Sequence, residues 1–124
     1  MALNRKQLQS KLSTVTSELL KEKGYISFVD VFMKLGYLDP KDYENWRMKR
    51  IPYLEKSVKV GLSKITFINK TVRENCRKGG LRESYTAYKS WGKGAKVDLQ
   101  FSKSGAKNIE ALYSTHWLKS TPLA

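Results

Sequence analysis

Few residues of this chain could do chemistry on their own. His116 is the one histidine and Cys76 the one cysteine. Cys76 falls on the apolar side of a long helical pattern, where a thiol is usually inert. His116 lies on a hydrophobic helix face, where an imidazole is more often a satisfied core residue than a base. Asp39, Asp42 and Glu44 crowd into one short segment, but capping and complementarity to the helix dipole account for them. No group of His, Cys and carboxylates has the spacing of metal ligands. The expectation is a protein that is not an enzyme, with no metal and no cofactor.

The cations are the stronger signal. Lys and Arg number 24 against 11 Asp and Glu, a formal charge of +13, well beyond what solubility requires. Such a field attracts polyanions. Lys and Arg neutralise phosphates, and Ser and Thr hydrogen-bond to them. Lys41, Asn45, Arg47, Lys49 and Arg50 crowd the segment from Pro40 to Arg50. Lys56, Lys59, Ser63, Thr66, Lys70, Arg73 and Arg77 recur at threes and fours, which on one continuous helix is a single basic stripe. Lys93 and Lys96 flank Gly94-Ala95 in a glycine-rich loop. Ser102, Lys103 and Ser104, ahead of a helix, form a candidate anion site. The order of a phosphate-binding P-loop is absent there, and a plainer reading makes Ser102 or Ser104 the helix cap. A solvated face is likewise the plainer reading of any one charge run.

The elements that must carry these residues follow from hydrophobic spacing. Leu8, Leu12, Val15 and Leu19 mark a first helix from about Asn4 to Lys23, ended by Gly24. Ser27 caps a short helix whose face is Phe28, Val31, Phe32 and Leu35, and Gly36 turns it. Asp39 caps another, with Pro40 at its first position and Tyr43 and Trp46 as anchors. Pro52 to Lys78 reads as one long helix with Leu54, Val58, Leu62, Ile65, Ile68, Val72 and Cys76 inside, and Gly61 as its weak point. Ser84–Trp91 and Val97–Phe101 read as a β-hairpin around the Gly92–Lys96 loop. Tyr85, Tyr88 and Trp91 cannot all face inward, because Tyr88 differs from the other two in parity. A last helix runs from about Gly105 to Trp117, with Ile109, Leu112, Tyr113 and His116 inside.

Two short helices joined by a tight turn, the second rich in cations, resemble the helix-turn-helix class. The run ISFVDVFMKLG followed by a helix ending in WR is similar to the start of a MerR-type DNA-binding domain. Phe32 stands where the pattern has a small residue, and the anchors come one residue late, so the turn is longer by one. The stretches WRMKRIPYLEK, SYTAYKSWGKG and LQFSKSGAKNIEALYSTHW also resemble a group of small bacterial proteins of uncharacterised function.

The expected fold is mainly α with a β-hairpin (α+β), winged-helix-like, with one long helix: a single domain over residues 1–118 and a frayed tail at 119–124. The expected function is nucleic-acid binding, with double-stranded DNA favoured. Lys41, Asn45 and Arg47 would read base edges, and the stripe and the loop would hold phosphates. Two alternatives stand beside it: single-stranded DNA or RNA stacked on the aromatic hairpin, and a non-catalytic protein-interaction module. The absence of a signal-peptide pattern and of a membrane-length apolar run leads us to expect a cytoplasmic protein with no membrane partner, for which a homodimer is compatible.

Overall fold

The computed structural model describes residues 4–119. The chain is α+β, with five α-helices and one three-stranded antiparallel sheet among the described residues. Helix α1 (Arg5–Lys23) begins in a capping box. Asn4 Oδ1 accepts from the Gln7 N–H at 2.8 Å, and Gln7 Oε1 accepts from the Asn4 N–H at 3.0 Å. Its stripe of Leu8, Leu12, Val15 and Leu19 is fully inside. Gly24 releases the chain into strand β1 (Tyr25–Ser27), and Ser27 then caps α2 (Phe28–Lys34) by accepting from the Asp30 N–H at 3.2 Å.

Helix α2 stops because Gly36 adopts a left-handed φ of 78°. The turn is a complete Schellman motif: Tyr37 N–H reaches the Phe32 carbonyl at 2.9 Å and Gly36 N–H reaches that of Met33 at 3.1 Å. Helix α3 (Pro40–Arg47) follows, capped by Asp39 with Pro40 at its start. It ends in a second motif of the same kind, with Lys49, not glycine, in the left-handed region at φ 64°. Arg50 N–H meets the Asn45 carbonyl at 2.8 Å and Lys49 N–H that of Trp46 at 3.0 Å. The helix is therefore shorter than the expected Pro40–Arg50, and Lys49 and Arg50 lie beyond its end.

The long helix expected from Pro52 is not formed. A one-turn 3-10 helix covers Leu54–Ser57, and α4 begins only at Leu62 (Leu62–Lys78), with Gly61 as its cap residue. Two distant contacts explain the break. Leu54 and Glu55 donate their N–H groups to the carbonyls of Gln100 and Phe101, at 3.2 and 2.9 Å, and Lys59 donates to Tyr37 at 2.8 Å. Those donors cannot also continue a helix. Of the apolar stripe, Leu54, Val58, Ile65, Ile68, Val72 and Cys76 are buried as their spacing implies, while Leu62 is 68% exposed. Burial pushes the Cys76 thiol up to about 12, so it stays protonated at neutral pH.

The sheet is also built differently from the expected hairpin. Strand β2 (Arg82–Tyr85) pairs with β3 (Thr115–Leu118), whose other edge pairs with β1. The order is β1-β3-β2, so the central strand is a segment expected as the end of the last helix. Helix α5 (Lys107–Ser114) stops at Ser114. In Thr115–Leu118 burial alternates, with Thr115 and Trp117 inside, which is strand periodicity. Between β2 and α5 the chain makes a long excursion. There the expected hairpin survives only as a Lys89–Asp98 bridge with two backbone bonds, Ser90 N–H to Val97 and Leu99 N–H to Tyr88. The parity argument holds within it: Tyr88 is buried, while Tyr85 and Trp91 are exposed. Of the expected tail, Lys119 is exposed after β3, and 120–124 lie outside the described residues.

An aromatic cluster fills the centre. Trp46 lies 5.1 Å from Phe101 and 5.6 Å from Tyr88, centroid to centroid, and Phe101 stacks on Tyr113 at 5.3 Å. The Trp46 indole N–H donates to the Gln100 carbonyl at 2.8 Å. Trp46→Ala should therefore lower the unfolding free energy by about 3–5 kcal/mol, read as a fall in the urea midpoint at unchanged slope.

Candidate nucleic-acid interface

The cations expected to bind phosphate divide among different surroundings. Lys41 is exposed on the first turn of α3, and Lys49 and Arg50 are exposed just past its end. Asn45 accepts from an Arg50 guanidinium N–H at 3.1 Å, so these two side chains hold one another. Arg47 turns inward. Its Nε donates to the Tyr43 hydroxyl at 3.0 Å, and another guanidinium N–H donates to the Lys89 carbonyl at 2.6 Å. The guanidinium carbon stands 4.8 Å from the Tyr88 ring centroid, 5.1 Å from Trp91 and 5.6 Å from Tyr43. Expected as a free base reader, Arg47 is instead the clamp between α3 and the 86–101 excursion.

That clamp brings two cationic segments together. The Trp91 N–H donates to the Arg47 carbonyl at 2.7 Å, and Gly92 packs against the Met48 side chain. Lys49 and Lys93, each one residue further on, thus leave the same junction. Trp91 is 44% exposed there, with its ring edge on Tyr43 at 5.8 Å between centroids. Lys96 donates to the Gly92 carbonyl at 2.6 Å and closes the loop, and Lys89 is ion-paired with Asp98. Lys41, Lys49 and Lys93 have no acidic partner among the described residues.

The expected single stripe along residues 56–77 does not exist, because the chain breaks before α4. Lys56 lies on the 3-10 turn, and Lys59 is 4.0 Å from Asp39. Lys70, Arg73 and Arg77 stay together on α4, with Arg77 3.5 Å from Glu83.

At the turn of Ser102, Lys103 and Ser104 the donors are spent on the protein's own carboxylates. Glu110, on α5, accepts from the N–H groups of Phe101 and Ser102, each at 2.8 Å, and from the Ser102 hydroxyl at 2.6 Å. Glu55 accepts from the Lys103 N–H at 3.2 Å and from the Tyr113 hydroxyl at 2.6 Å. The backbone donors that would hold a phosphate are already taken. Neither serine is the helix cap: that residue is Ala106, whose N–H meets Ser104 Oγ at 3.3 Å. Nothing in the spacing of Glu55 pointed to this role, since it lies 48 residues from Lys103.

Sequence reasoning also missed a polar cluster at the sheet edge. Ser27 Oγ donates to Asp30 at 2.6 Å, and Lys23 pairs with the other carboxylate oxygen at 2.8 Å. This hydrogen bond raises the Lys23 pKa against the opposing effect of burial. His116 stacks on Tyr25 at 4.9 Å, and its Nε2 is 2.9 Å from the Tyr88 hydroxyl. Lys23, Tyr25, Asp30, Tyr88 and His116 line a cavity of about 170 Å³ with Arg47. The cluster includes a serine, a histidine and an aspartate, but Ser27 gives its proton to Asp30 and His116 meets Tyr88, so they are not arranged as a nucleophile relay. Among the described residues no group of three or more His, Cys, Asp and Glu could hold a metal ion, and no helix is long and apolar enough to cross a membrane.

No family model matches the chain, and neither a curated protein nor a solved structure is significantly similar to it. What the protein does has to be read from its own surface.

Two measurements test this description. Arg47→Lys keeps the charge but loses the planar fork, and should cost roughly 1–3 kcal/mol of stability through lost hydrogen bonds and ring contacts, with Trp91 fluorescence shifting as the loop loosens. Burial lowers the His116 pKa below its usual 6.5. The unfolded chain then binds the extra proton first, so stability falls as pH drops below 6.5 and is level above it. Melting temperature should decline between about pH 7 and 5.5, with a shallower decline in His116→Gln.

Proposed function

We propose that the protein binds nucleic acid, duplex DNA foremost, through the face where the end of α3 meets the 89–98 loop. The observation that carries this is the junction itself. In a chain of charge +13, Lys49 and Lys93 leave the junction that Arg47 clamps, Lys41 stands on the first turn of the same helix, and none of the three has an acidic partner among the described residues. We read α2, the Gly36 turn and α3 as a helix-turn-helix, and the loop as its wing. On this reading affinity comes mainly from phosphates. Any base contact would come from Lys41 or from an Asn45–Arg50 pair that opens, since Arg47 is committed within the protein.

Exposed Trp91 favours a second reading, in which single-stranded nucleic acid stacks on that ring beside the same cations. One titration series separates the two. Duplex DNA should bind more tightly than a single strand of the same length, and log affinity should fall with log salt by about 0.9 for each phosphate neutralised. Lys49→Gly relieves the left-handed residue and removes a cation, so it should keep the fold. Together with Lys93→Ala it should weaken binding on every sequence and flatten the salt slope by about 2. A preference for the single strand that Trp91→Ala abolishes would establish the second reading. No binding at low salt would end both.

A further inference from the structure

We propose that the cleft between α4 and α5 binds a small amphipathic anion, an apolar body bearing one carboxylate or sulfonate. The cleft has a volume of about 820 Å³, within the range of small-molecule sites. Ile65 and Leu62 on α4 and Ile109 and Leu112 on α5 give it apolar walls. Leu62 belongs to the apolar stripe of its helix by spacing yet is 68% exposed, so in the free protein it faces solvent.

Charge at the cleft favours an anion. Lys70 and Arg73 come from α4 and Lys103 from the turn opposite, and none has an acidic partner among the described residues. The one carboxylate in the lining, Glu55, is spent on the Lys103 N–H and the Tyr113 hydroxyl.

The second, independent observation is a pair of unsatisfied polar atoms in the same wall. Asn69 lines the cleft and is only 4% exposed. Tyr113, on the same cleft, gives its own proton to Glu55 at 2.6 Å. Among the described residues nothing pairs with the buried Oδ1 of Asn69, nor with Nε of Arg73 one turn further along the helix. Buried polar atoms nearly always have partners; of the three exceptions among the described residues, Asn69 Oδ1, Arg73 Nε and Trp117 Nε1, the first two belong to residues of this one cleft and call for a ligand there. Apolar walls ask for a hydrocarbon or aryl body, the cations for a single negative group, and Asn69 for an N–H or O–H donor. A nucleic-acid backbone fits badly, because it would lay charge along the apolar walls. The site is separate from the proposed nucleic-acid face and does not depend on it.

The test uses 8-anilinonaphthalene-1-sulfonate, which combines an aryl body, a sulfonate and an N–H, titrated into the full chain and followed by its fluorescence. Saturable binding at one site is expected, displaced by dodecanoate below its micelle concentration, and not by dodecyltrimethylammonium or inorganic sulfate. Arg73→Gln should weaken binding by about tenfold, the loss of roughly one charged contact. Leu62→Asp should abolish it while leaving the melting temperature unchanged, because Leu62 is exposed. The Lys49→Gly, Lys93→Ala protein should bind the probe as the parent does, which keeps this test apart from that of nucleic-acid binding. Non-saturable binding, equal displacement by the cationic amphiphile, or full affinity in a folded Leu62→Asp variant would overturn the proposal. If Arg73→Gln fails to fold, Leu62→Asp decides.

Discussion

The segment from Gln100 to Lys103 is the strut on which this fold rests. Its carbonyls accept from Leu54, Glu55 and the Trp46 indole, and its N–H groups donate to Glu110 and Glu55. It belongs to no named helix or strand, yet it ties α3, the 3-10 turn and α5 together. Buried backbone groups must be paired, and here pairing outside regular structure requires the nearby Glu110 carboxylate together with Glu55 and the Trp46 indole from distant parts of the chain. Much of the rest follows. The 3-10 turn is held off the helical path, α4 starts late, and the aromatic cluster of Trp46, Phe101 and Tyr113 closes over the strut.

The same strut separates the two proposed binding surfaces by their chemistry. Towards α3, Arg47 is spent on carbonyl and ring contacts, so the 89–98 loop is pinned and its lysines are left outward. Towards α4 and α5, Glu55 and Glu110 absorb donors of the turn, which leaves side-chain cations, Asn69 and an apolar trough for a ligand. Phosphate held by backbone N–H groups is ruled out at this turn while those carboxylates stay in place. A polyanion suits the first surface and an amphipathic monoanion the second.

Local signals were strong wherever the determinant was local. The stripe of α1, the Ser27 and Asp39 caps, the Gly36 turn and the buried Trp46 all depend on residues within a few positions of one another. So did the parity of Tyr85, Tyr88 and Trp91. Helical periodicity misled in two places. Leu54 and Val58 are buried as a helix would bury them, but from a 3-10 turn and the loop after it. His116 continues the spacing of Ile109, Leu112 and Tyr113, yet it sits on a strand.

By itself the sequence determined the α+β class, the helical face of α1, the two short capped helices α2 and α3 with the Gly36 turn between them, and the excess of cations. These depend on spacing, caps and composition, which need no partner far away. Tertiary structure alone decided that Thr115–Leu118 is the central strand, because only β1 and β2 on either side satisfy its backbone. It also decided that Arg47 turns inward, because the Lys89 carbonyl and three aromatic rings reach it from a segment some forty residues on. The Ser102–Ser104 turn was expected either to cap a helix or to hold an anion, and its N–H groups are turned on the protein's own carboxylates instead. That outcome depended on Glu55 and Glu110, and only folding brings Glu55 across 48 residues to Lys103.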